Sequence, residues 1–152
     1  MVSVKQHTAV LRDTSMFILV PPLYHYATDI MPRQGLSVVG FLLFIMSWRH
    51  WSAYDFHGYR RKLDIAFATT YIALEFITCK IDTAGVALRA LSGLAFYKSC
   101  DYPVGSAVGL KYHLLFRYLG WVAVMRSFCP APTLAAWTFF YVMFSMCSLH
   151  SH

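Results

Sequence analysis

The chain has 152 residues, 58% of them hydrophobic and 13% charged, with a formal net charge of +6 and a mean hydropathy of +0.50. Soluble domains carry roughly 25% charged residues, so the composition points to a single domain placed in a bilayer rather than in water. The bases sit at the ends of apolar runs, a pattern that orients a chain in a membrane and excludes a nucleic-acid footprint.

The first residues, MVSVKQHTAVLRDTSMF, hold Lys5 and Arg12 but no cleavable apolar core, so no secretory signal is expected. From Ser15 to about Ile30 an apolar run is interrupted by Pro21-Pro22, which predicts a kinked or re-entrant span. Gly35 to Trp48 is charge-free between Arg33 and Arg49. It is short against the ~20 residues a span needs, although flanking arginines can snorkel.

The next segment lies between Lys62 and Lys80. Asp64, Ala68, Tyr71 and Glu75 follow i, i+4, i+7, i+11, which puts both acids on one helical face. Thr83 to Tyr97 carries Arg89 among small residues that permit close helix contact. Tyr102 to Met125 carries Lys111, His113 and Arg117, and Pro132 to Leu149 is the one clean uncharged span. The expected fold is therefore all-α: a polytopic transmembrane bundle of about six spans, or five if the Pro21-Pro22 segment is re-entrant, forming one integral membrane domain over 1–152.

With six spans, one side collects seven bases (Lys5, Arg12, Arg49, Arg60, Arg61, Lys62, Lys98) and the other three (Arg33, Lys80, Arg126). A re-entrant first segment would even the two sides, so the positive-inside rule favours six, with both termini facing cytoplasm or matrix. The four cysteines, Cys79, Cys100, Cys129 and Cys147, show no C-x-x-C and no scaffold spacing, and read as small packing residues.

Ionisable groups inside apolar segments are costly and stand opposite partners or cavities. At ~1.5 Å per helical residue, Glu75, Arg89 and Arg117 reach similar depths and are expected to form one buried charge cluster. Its first interpretation is a structural pair that fixes helix register, its second a proton path or an anionic ligand site. His25 and His57 read as residues at span ends. His50 and His113 are candidate metal or haem ligands.

S-x-x-H closing one helix (Ser47, His50 in SWRH), an aspartate opening the next (Asp64 in RKLDIAF) and a later histidine helix (His113 in KYHLLFRYLGW) resemble the ceramidase and adiponectin-receptor superfamily of membrane hydrolases. The resemblance implies a zinc-dependent amide hydrolase, with His50 and His113 as zinc ligands and Ser47 and Asp64 positioning or activating the attacking water. The family's second late histidine, at H-x-x-x-H, is Arg117 here. A third possibility makes His50 and His113 axial ligands of haem b in a membrane-anchor subunit.

The leading expectation is an accessory, structural subunit of a larger membrane complex, without catalysis or cofactor of its own. Its partners would be membrane lipids and other membrane subunits, not nucleic acid. The mitochondrial inner membrane is the favoured location, from the basic loops, with an endomembrane next.

Overall fold

The structure, a computed structural model, describes residues 3–27, 34–53, 58–79, 81–126 and 131–151. Among these residues all regular structure is helical: α1 (Val4–Thr14), a 3-10 turn (Ser15–Leu19), α2 (Val20–Ala27), α3 (Gln34–Ser52), α4 (Tyr59–Thr78), α5 (Thr83–Cys100), α6 (Ala107–Arg126) and α7 (Ala131–Ser151). One of them, α7, is long and apolar enough to cross a membrane by length and composition, over Thr133–Ser151. The all-helical expectation holds at that level.

Composition marks no domain boundary, yet the backbone gathers into two compact units. Unit 1 comprises Met1–Leu11 with Ile81–His152, and unit 2 comprises Arg12–Lys80. Both draw on the same apolar alphabet, so a shift in composition has nothing to report.

In unit 2 the tandem proline lies in the first turn of α2, directly after the 3-10 turn. There the missing N–H groups fall in the first turn of α2, where few intrahelical bonds are lost to them. The segment is thus a 3-10 turn plus two turns of α-helix over 15–27, and residues 28–33, on which its expected end falls, lie outside the described ones. Helix α3 runs four residues beyond the expected Trp48 and takes in Arg49 and His50.

Helices α2, α3 and α4 converge on Gly40. A Cβ built there would stand 2.5 Å from Pro22 Cγ and 2.8 Å from Tyr71 Cε2. A second tie, from Arg60 Nη1 to the Ala53 carbonyl at 3.3 Å, closes the other end of the α3–α4 pair. Gly40 with Tyr71 and Ala53 with Arg60 give nearly constant residue sums, which defines an antiparallel register. Ser47 of α3 then lies level with Asp64 of α4, and Leu36 level with Glu75.

Unit 1 is built on an α5–α6 hairpin. Asp82 caps α5, accepting from the Gly85 N–H at 2.8 Å, and also takes Arg126 at the far end of α6 at 2.9 Å. The cap and the guanidinium together hold the Asp82 carboxyl below its usual range, the arginine being the larger cause. Midway, Ser92 Oγ donates to the Phe116 carbonyl at 2.9 Å, and a Cβ at Gly120 would lie 3.0 Å from Arg89 Nη1 and 3.2 Å from Ser92 Oγ. The notch at Gly120 admits both polar side chains. Gly120→Leu should therefore lower stability by about 1–3 kcal/mol through overpacking, read as a drop in Tm in mild detergent.

Helix α7 meets this hairpin through Tyr141, whose ring lies 5.7 Å from Trp121 and 5.4 Å from Tyr118. Elsewhere on this helix Phe139, Phe140, Val142, Met143, Phe144 and Met146 are exposed. The N-terminal part of α1 belongs to the same unit, where Gln6 Nε2 donates to the Leu149 carbonyl at 3.0 Å.

Candidate functional site

The candidate residues divide between the units. Unit 2 holds Ser47, His50, Asp64 and Glu75, and unit 1 holds Arg89, His113 and Arg117.

In unit 2, Ser47 and His50 are one turn apart on α3 and both are buried, while Asp64 in the second turn of α4 is half-buried at the same level. The Ser47 hydroxyl pairs with that of Ser15 at 3.3 Å. Ser15 and its neighbour Thr14, both buried, extend the polar patch onto the junction of α1 and the 3-10 turn. The His50 ring meets the Trp51 ring edge-on at 4.6 Å. Arg12 lies over the Trp48 ring at 5.6 Å and bonds Asp13 at 2.8 Å. Glu75 is fully buried on the same face of α4 as Tyr71, towards the other end of that helix. The expected common face for Asp64 and Glu75 is thus seen in the helix, and their different burial follows from their distance along it.

In unit 1, His113 is half-buried between aromatic rings, 5.6 Å from Phe116 and 6.3 Å from Phe96. Arg117, one turn on, donates through Nη1 to the Leu11 carbonyl near the C-terminal end of α1, where the helix dipole favours a cation. Arg89 packs against the Gly120 notch. The His25 side chain, His57 and Cys129 lie outside the described residues.

A zinc site of the ceramidase kind takes three protein ligands and a water. At the Ser47 end of unit 2 the described donors of metal type are His50 and Asp64. No group of three or more His, Cys, Asp or Glu is gathered to hold a metal among the described residues. The described donors do not complete that ligand set.

The polar residues that sequence reasoning passed over are Thr14, Ser15 and His7. The first two sit in what reads as a polar leader followed by an apolar run, and only the tertiary return of α3 buries them. His7 is buried in unit 1, where its Nδ1 accepts the N–H of Gly105 at 3.1 Å. Gly105 has a φ of +95°, a conformation glycine adopts without steric cost, and it aims that N–H at the ring. Burial lowers the His7 pKa below its ordinary 6.5, with Arg117 adding to the effect and a hydrogen bond to the Ser106 backbone opposing it.

With the folded pKa below the unfolded one, the unfolded chain takes up the proton first as pH falls. Stability is therefore full above about 6.5 and declines as pH falls below it. Thermal unfolding between pH 8 and pH 5 should show that decline, and His7→Phe should flatten it. An unchanged pH profile in the variant would assign the decline to other groups.

Comparison with protein-family models, curated proteins and solved structures finds no match to this chain.

Proposed function

We propose that the chain is a small multi-span accessory subunit of a larger membrane assembly, with no catalysis of its own. The observation that carries this is α7, where only 11% of an apolar, span-length window is buried. Helices α3 to α7 are 18 to 21 residues long, close to the ~20 that cross a hydrocarbon core. Exposed large apolar side chains continue on α3 (Val38, Phe41, Leu42), α4 (Ile65, Phe76, Ile77) and α5 (Val86, Leu91, Leu94).

The threonines of α4 support the same surroundings. Thr69 and Thr70, both exposed, turn their hydroxyls back to the Ile65 and Ala66 carbonyls at 2.9 Å, and Thr78 bonds Leu74 at 2.7 Å. A hydroxyl facing hydrocarbon has no water to bond and must find its partner on its own helix. Charged side chains on these helices favour neighbouring subunits over bare lipid. The basic loops favour the mitochondrial inner membrane, then an endomembrane.

The test is extraction followed by native electrophoresis. The chain should stay in membranes through alkaline carbonate and co-migrate with other chains in mild detergent. A chain that runs alone would reject the subunit role. The zinc hydrolase remains the second possibility, favoured by Ser47, His50 and Asp64 sharing one end of the α3–α4 pair. About one zinc per chain, lost in His50→Ala, would put it first, and a Soret band would do the same for haem.

A further inference from the structure

We infer that the α3–α4 end of unit 2 is a docking surface for the headgroups of anionic phospholipids. This rests on the membrane-spanning role proposed above.

Four bases meet at that end. Arg49 is exposed in the last turn of α3, Arg60 and Lys62 are exposed in the first turn of α4, and Arg61 lies beside them. The bond from Arg60 to the Ala53 carbonyl holds the two helix ends together. From Arg49 to Asp64 the sequence has two acids, Asp55 and Asp64, so the local charge is 4 − 2 = +2.

The placement is electrostatically unfavourable for an isolated helix. Bases are favoured at C-termini and acids at N-termini, yet α4 carries three bases and no acid in its first turn. Its N-cap is Gly58, which has no side chain to accept a backbone N–H. An anion seated there would be attracted both by the three bases and by the positive end of the helix dipole.

Charge complementarity thus calls for an anion, and location identifies which. The patch caps a pair of helices 19 and 20 residues long, so it falls at headgroup depth when they span a bilayer. Tyr59, 72% exposed beside the patch, is the residue type that lines membrane interfaces.

The experiment measures lipid binding and Tm of the full chain in mild detergent with added phosphatidylserine or phosphatidylcholine. Phosphatidylserine should bind on the order of tenfold tighter or more, as about fivefold per base predicts for a partly screened patch. Arg60→Gln with Lys62→Gln should remove the preference, and Arg60→Lys should keep it. Should the double variant fail to fold, about 0.5 M NaCl added to the unaltered chain should erase the preference by screening. Equal binding of the two lipids would overturn the inference, as would inorganic phosphate stabilising the chain as well as the lipid does. Alkaline extraction of the same chain tests the span separately, so failure of the parent proposal is told apart from failure of this one.

Discussion

Gly40→Val should cost unit 2 most of its stability, the largest effect expected of any single exchange in this chain. A Cβ at this position already stands 2.5 Å from Pro22 Cγ and 2.8 Å from Tyr71 Cε2, closer than real Cβ contacts come. The obstructing atoms are ring members. The proline ring is fixed to its backbone, and the tyrosine ring is buried, so neither can swing aside as a lysine tip would. Overpacking of a core costs about 1–3 kcal/mol where neighbours adjust. Here two helices must separate from α3, and a loss at or above the top of that range is expected, against total stabilities of ~5–15 kcal/mol.

Thermal unfolding in mild detergent would read the loss directly. Gly93→Ala is the matched control. Nothing lies within 4 Å of its Cβ position, so the helix-propensity gain of up to about 1 kcal/mol should appear unopposed. Pairing Gly40→Ala with Tyr71→Leu should recover part of the loss, since the leucine removes the ring atoms in the way. A Gly40→Val chain as stable as the parent would mean that α2 and α4 do not approach α3 here.

Met143→Arg is expected to drive a substantial fraction of the chain out of the membrane. Met143 is exposed near the centre of the Thr133–Ser151 window. An arginine at the middle of a span costs about 2.5–3.5 kcal/mol on insertion scales, a shift on the order of a hundredfold in the insertion equilibrium. Met143→Leu should be neutral. The fraction resisting alkaline carbonate measures both. If Met143→Arg left that fraction unchanged, α7 would be facing water or protein, and the span assignment would fall.

Much of the helical layout is legible in the sequence because charge and proline punctuate it. Asp82 marks the start of α5, and the expected Thr83–Tyr97 segment ends within a turn of the observed Cys100. The observed boundaries differ from the expected ones where charged residues continue a helix instead of ending it. Arg49 and His50 continue α3, with Arg49 outward and His50 inward. Arg60 to Lys62 sit inside α4 rather than before it.

The site was legible only in part. The i, i+3 spacing of Ser47 and His50 and the common face of Asp64 and Glu75 follow from helical periodicity. Local pattern cannot say that Ser15 returns to Ser47, or that Arg117 turns to the Leu11 carbonyl. Those contacts span 32 and 106 residues of chain and depend on tertiary packing.

The α5–α6 hairpin has a bearing on how the chain is made. Its contacts, Asp82 with Arg126, Ser92 with Phe116 and Phe96 with Phe116, join residues only 20 to 44 positions apart across a single turn. Closing so short a loop takes little time, and structures dominated by near neighbours assemble fastest. The hairpin can therefore be complete before α7 leaves the ribosome. The last helix then arrives at a finished surface bearing Trp121 and Tyr118, and needs only to lay Tyr141 against it.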